Sequence, residues 1–214
     1  ISAGFASPTP IQAQSWPICN QGRDMISVAR TGSGKTLGFL LPAFEKIRLL
    51  EKKGVMGNGK NERACSPLCV VLAPTRELAM QIGVEATTYG RQAGIRSVTV
   101  YGGDSKYKQI RSMERLNPQI IIGTPGRLND FCSMGKINLS RTCILVLDEA
   151  DRMLDMGFEP QLNDIQTHMP RQTMGATRPL PSSGLCDQCS RQTLLFSATW
   201  PDSVKRVGAR FTVN

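Results

Sequence analysis

A chain of 214 residues, 40% hydrophobic and 20% charged, can bury a substantial core as one large domain or two small ones. Its 26 lysines and arginines against 17 aspartates and glutamates leave a net charge of +9, which suits a polyanionic partner. No apolar run nears the roughly 20 residues of a membrane span, no basic-then-apolar leader opens the chain at Ile1, and seven cysteines argue against a disulfide framework, so a cytosolic or nuclear protein is expected.

From the N-terminus on, short apolar runs alternate with longer amphipathic ones. MISVA (25–29) reads as the first strand and runs into ARTGSGKT (29–36), followed by a helical pattern from Lys35 to Leu50. Strand, Gly-rich loop and helix in that order are the setting of a phosphate-binding P-loop. Gly32 and Gly34 let the backbone of Thr31, Ser33 and their neighbours curl so that N–H groups point at a phosphate. Lys35 adds a point charge, the helix N-terminus adds its partial positive charge, and the Thr36 hydroxyl can ligate Mg2+. A general P-loop opens with glycine, where this one has Ala29.

EKKGVMGNGKNERACSP (51–67) is polar and Gly-rich and reads as a loop. CVVLAP (69–74), SVTVYG (97–102) and IIIGTP (120–125) read as three further strands, with helical patterns over Arg76–Gln92 and Lys106–Arg115. CILVLDE (143–149) delivers an apolar run straight into Asp148, Glu149 and Asp151. Carboxylates crowded beside a buried strand need a neutralising cation or proton. With a P-loop in the same chain, Asp148 at a strand end suits the Mg2+ of a bound nucleotide, and Glu149 is placed to orient and deprotonate an attacking water.

Phe158–Met169 and Asp202–Arg210 read as helices around a last strand, LLFSAT (194–199). The phrase RQTMGATRP (171–179) is echoed by RQTLLFSATWP (191–201), and only the later copy carries Leu194, Leu195 and Phe196, enough for a buried strand. Residues 172–191 therefore read as an inserted loop that leaves the sheet at its amino edge. Cys186 and Cys189 form the chain's one CxxC, with Cys65 and Cys69 as the remaining candidates for a zinc site, although cysteines outside such a site are ordinarily small core residues. Near-continuous apolar strands alternating with helices predict an α/β fold, a mostly parallel sheet covered on both faces.

In this order the motifs resemble those of DEAD-box ATP-dependent RNA helicases, and the likeness runs from Gly4 to the end of the chain. ARTGSGKT is similar to that family's own P-loop, which accounts for Ala29, and DEAD (148–151) and SAT (197–199) follow in the family's order. The resemblance implies a single RecA-like P-loop NTPase domain over 1–214 that binds ATP and Mg2+. It implies that GFASPTPIQ is an adenine-reading motif in which Gln12 pairs with the purine edge. It further implies RNA-backbone contacts from Pro74, Thr75 and Arg76, from Gly102 and Gly103, and from Thr124, Pro125, Gly126 and Arg127, with little sequence preference. Ser197 and Thr199 would bond Asp151 and couple the nucleotide site to the RNA face. A second RecA-like domain, which 200–214 is too short to supply, would bring the arginine fingers, and the whole would act as a monomer that couples ATP hydrolysis to RNA unwinding or RNP remodelling. On this reading the isolated domain is nearly inactive. The competing reading is a non-enzymatic ATP-gated RNA clamp or scaffold, against which intact Lys35, Asp148 and Glu149 argue.

Overall fold

The computed structural model describes residues 6–52, 64–170 and 191–213. Its strands are β1 (Met25–Val28), β2 (Cys69–Leu72), β3 (Ser97–Val100), β4 (Ile120–Gly123), β5 (Ile144–Leu147) and β6 (Gln192–Ser197). Its helices are α1 (Pro10–Asn20), α2 (Lys35–Lys52), α3 (Arg76–Ala93), α4 (Lys106–Leu116), α5 (Pro125–Ser133), α6 (Ala150–Asp155), α7 (Glu159–Thr167) and α8 (Asp202–Phe211). All the strand pairs are parallel, and the six strands form one sheet in the order β1-β6-β5-β2-β4-β3.

Strand alternation divides the core into two layers. Val71, Ile120, Ile122, Ile144, Val146, Leu194 and Phe196 face α1, α2 and α3. Val70, Leu72, Ile121, Leu145, Leu147 and Leu195 face α5, α6, α7 and α8. With both faces covered, the central strands are buried at every position, which is why their sequences show no polar alternation. Among the described residues no helix is long and apolar enough to cross a membrane.

Three expectations change. The predicted loop 51–67 loses Glu51 and Lys52 to the end of α2, while 53–63 lie outside the described residues. Cys65 and Cys69 sit in opposite core layers with their thiols pushed up to about 12 by burial, so together they cannot complete one metal site; Cys186 and Cys189 lie outside the described residues. The last strand starts two residues before Leu194, because the buried side chain of Gln192 is satisfied. It donates to the carbonyls of Cys19 (3.0 Å) and Arg23 (2.7 Å) and accepts from Lys46 Nζ (3.1 Å). The later RQT copy is thus in the sheet, and the earlier one falls in 171–190, outside the described residues. Arg191 Nη1 donates to Pro170 O at 3.4 Å, so the side chain after that segment reaches the backbone before it.

Candidate active site

The sheet order sorts the motifs along one edge. Strands β1, β6 and β5 are neighbours, and their carboxyl ends carry the P-loop, Ser197–Thr199 and Asp148–Asp151. Strands β2, β4 and β3 are the other neighbours, and theirs carry Pro74–Arg76, Thr124–Arg127 and Gly102–Gly103. Ligands of open parallel sheets bind at this edge.

In the P-loop, Gly32 and Gly34 adopt φ of +75° and +90°, a region closed to most side chains. Lys35 begins α2, is 6% exposed, and donates from Nζ to Ala29 O at 3.0 Å, so the cation lies folded across the loop. Ser33 Oγ is buried without a hydrogen-bond partner. A buried orphan hydroxyl, a lysine hydrogen-bonded to a loop carbonyl and a helix N-terminus together fit an anion. Thr36 follows in the first turn, partly buried, and Thr31 is exposed at the rim.

Gln12 is on a helix, not in a loop. Thr9 caps α1, Pro10 occupies its first turn, and Gln12 Oε1 accepts from Thr9 N at 3.0 Å. Its Nε2 donates to Gly34 O at 3.0 Å, which ties α1 to the P-loop. Trp16 Nε1 adds a bond to Leu37 O at 3.3 Å. Each end of the Gln12 amide is used once, leaving one N–H and one lone pair, the pair of groups an adenine edge requires.

Asp148 follows β5 and is 3% exposed. Burial raises its pKa to about 6; Lys35 pulls it down, while Glu149 and Asp151 push it up. Its Oδ1 accepts from Glu149 N at 3.0 Å. A hard divalent cation would supply the positive charge this desolvated carboxylate lacks, with the partly buried Thr36 hydroxyl as a candidate second oxygen. Glu149 holds φ 52° and ψ 53°, left-handed backbone that is rare for a glutamate and that turns the chain from β5 into α6. Its carboxylate lies 3.4 Å from Arg152 Nη1. Asp151 Oδ2 accepts from Thr199 N (3.0 Å) and Thr199 Oγ1 (2.7 Å). Partial burial pushes Asp151 up, but the hydroxyls of Thr199 and Ser197 and two backbone amides outweigh it, so its pKa is lowered. Ser197 Oγ lies near enough to act on that charge yet makes no hydrogen bond of standard geometry, leaving it a buried, open group between the P-loop strand and β5.

On the other half, Thr75 caps α3 by accepting from Leu78 N at 3.3 Å, Pro74 is buried, and Arg76 is exposed with its guanidinium 4.8 Å from the Tyr101 ring centroid. Gly102 and Gly103 are exposed beside it. Thr124 starts α5 without a side-chain cap bond, followed by buried Pro125 and by Gly126, which has open space on its side-chain face. Arg127 follows in the same helix. It is 8% exposed, with Nη1 donating to Asp104 O (3.2 Å) and Gln109 Oε1 (3.1 Å) and Nη2 to Asp104 O (3.2 Å). A guanidinium so engaged braces the Gly102–Gly103 loop through the Asp104 carbonyl. Gln109, unnoticed in the sequence, completes that brace by bonding both N (3.2 Å) and O (3.0 Å) of Tyr101.

A family profile described as "DEAD/DEAH box helicase" matches residues 9–207. The chain is 46% identical over its whole length to DEAD-box ATP-dependent RNA helicase 14 of Arabidopsis thaliana, and 46% identical over 99% of it to the ATP-dependent RNA helicase-like protein DB10 of Nicotiana sylvestris. It spans about 30% of the length of each of these curated relatives. Among solved structures, a hypothetical ATP-dependent RNA helicase from Sulfolobus tokodaii superposes with a TM-score of 0.74 at 31% identity, over 99% of this chain and 52% of that one.

Proposed function

Because the chain belongs to the DEAD/DEAH box helicase family, we propose that it is the ATP-binding RecA-like domain of an ATP-dependent RNA helicase. The observation that supports this reading is the sheet order: residues 29–36, Ser197–Thr199 and Asp148–Asp151 share one half of the carboxyl edge, and Pro74–Arg76, Gly102–Gly103 and Thr124–Arg127 share the other. The two halves meet at β5 and β2, so a change at the nucleotide has a short path to the RNA.

In this reading the spare N–H and lone pair of Gln12 select adenine, while the P-loop amides, Ser33 and Lys35 hold the phosphates as Lys35 leaves Ala29 O. Thr36 and Asp148 would hold Mg2+, which when bound would neutralise phosphate charge. Glu149 takes the proton of the attacking water, and the left-handed backbone aims it from the end of β5. Asp151, bonded to Thr199, links this chemistry to β6 and the edge as a whole. Arg76, the Thr75–Arg76 amides, the glycine pair and the α5 N-terminus contact sugar and phosphate, which gives binding without base readout. A second RecA-like domain in the longer protein would close over both ligands and add arginine to the transition state, an effect of roughly 10³–10⁵ in rate.

The test is ATP turnover by the whole protein with and without single-stranded RNA, in the unaltered form and as Lys35→Ala. RNA should stimulate the first strongly, and the second should lose nucleotide binding. Equal turnover with and without RNA would refute the coupling.

A further inference from the structure

Helix α4 leaves the Gly102–Gly103 loop and turns only a narrow face inward, with Gln109 and Met113 its buried residues. Its outward face is basic and carries a bare aromatic ring. Tyr107 is 67% exposed, and the Arg111 guanidinium lies 5.8 Å from its ring centroid. Lys108, Arg111 and Arg115 follow at spacings of three and four residues, so with Tyr107 they form one stripe. From Lys108 to Arg115 the stripe runs about 10 Å along the helix.

The charges are unevenly committed. Lys106 pairs with Asp130 at 2.7 Å, and Glu114 pairs with Lys136 at 3.5 Å, which removes the one acid of the helix from the stripe. Among the described residues Lys108, Arg111 and Arg115 form no ion pair. Three uncompensated cations beside an exposed tyrosine are ordinary on a protein surface one at a time. In a stripe that starts where the glycine pair ends, they continue an edge already shaped for a polyanion.

Resting on the reading of that edge as an RNA surface, we propose that α4 is an accessory subsite for single-stranded RNA. Tyr107, steadied by Arg111, is the platform for one unpaired base, and Lys108 and Arg115 hold the adjoining phosphates. The chemistry is that of sequence-tolerant single-strand binding, with aromatic stacking for the base and point charges for the backbone. A duplex offers no free base face, so the subsite favours the strand that has been, or is about to be, separated.

The experiment is RNA binding by the whole protein, followed by fluorescence anisotropy, with single-stranded RNA shortened one nucleotide at a time. Tyr107→Ala should weaken binding of long strands by about tenfold and leave the shortest binding strands unaffected. Tyr107→Trp should retain the long-strand affinity. Lys108→Ala should lower the slope of log affinity against log salt by about 0.7. If Tyr107→Ala matches the unaltered protein at every length, the subsite is refuted and the stripe serves another partner, such as an acidic protein. If the unaltered protein binds RNA at no length, the RNA reading of the three loops fails, and the subsite with it. Because Tyr107 packs against little besides Arg111, the substitution leaves the core intact, and thermal unfolding checks this.

Discussion

Replacing Gly34 with alanine tests whether α1 and the P-loop act as one unit. A Cβ at Gly34 would come 2.7 Å from Gln12 Nε2 and 2.9 Å from Thr9 Oγ1, whereas one at Gly32, also at positive φ, meets nothing within 4 Å. Left-handed backbone alone costs alanine about 1–2 kcal/mol, so Gly32→Ala measures that part by itself. At Gly34 the clash is relieved by swinging the Gln12 amide aside, which breaks its bond to Gly34 O. An orphaned buried amide costs about 1–3 kcal/mol. Gly34→Ala should therefore destabilise the fold by roughly 2–5 kcal/mol against about 1–2 for Gly32→Ala. Denaturant unfolding reads the difference. Calorimetric titration with ADP and GDP reads the function: both variants bind more weakly, but only Gly34→Ala should lose the preference for adenine. Equal stability losses in the two variants, or an intact preference in Gly34→Ala, would refute the reasoning.

Four further outcomes are expected. Glu149→Gln in the whole protein should bind ATP and RNA normally while turnover falls by about two to four orders of magnitude; near-normal turnover removes Glu149 from the chemistry. Thr199→Val deletes the 2.7 Å bond to Asp151 and keeps the 3.0 Å backbone bond, so RNA stimulation should fall with little change in ATP affinity, measured by paired turnover and binding assays. Burial holds the Asp148 pKa near 6, above its ordinary value, so in chelator the folded chain takes up a proton as pH falls through 6. Stability should then rise between about pH 7 and pH 4, by at most about 3 kcal/mol, and Asp148→Asn should flatten that slope. Finally, deletion of 171–190 joins Pro170 to Arg191, whose guanidinium already reaches the Pro170 carbonyl; unchanged thermal stability is expected, and an unfolded variant would make the segment structural.

Much of this architecture is legible in the sequence because buried parallel strands must be apolar throughout. Cys69–Leu72 and Ile120–Gly123 leave no other reading. The predicted strands run one or two residues past their carboxyl ends, at Ala73, Tyr101 and Thr124, because there the chain leaves the ladder to form the functional turns. Helices α1, α5 and α6 are missed. For α1 the signal existed in Thr9-Pro10-Ile11-Gln12, a capping residue, a proline at the first turn and a glutamine three residues on. Helix α6 has six residues, too few to show a period. Arg127 illustrates the limit in the site: spacing puts a cation after β4, but whether it faces solvent or Asp104 depends on Gln109, eighteen residues away. The pairing of Asp24 with Thr193 N and Val213 N is equally invisible, since it joins residues 169 and 189 apart.

The placement of β6 has a consequence for how the protein is made. Among the described strands β1 has β6 as its one neighbour, and Met25 pairs with Leu194. The ribosome therefore releases the P-loop strand long before its partner exists, with Asp24 waiting across 169 residues for Thr193. At typical elongation rates that interval is roughly 10–30 s. During it an apolar strand and an unsupported phosphate loop are exposed to other chains and to chaperones. Closure of the nucleotide half is then a late step whose rate is set by long-range pairing. On the proposed reading, nascent chains should capture ATP only after Ser197 has emerged from the exit tunnel, so nucleotide capture would report completion of the domain during translation.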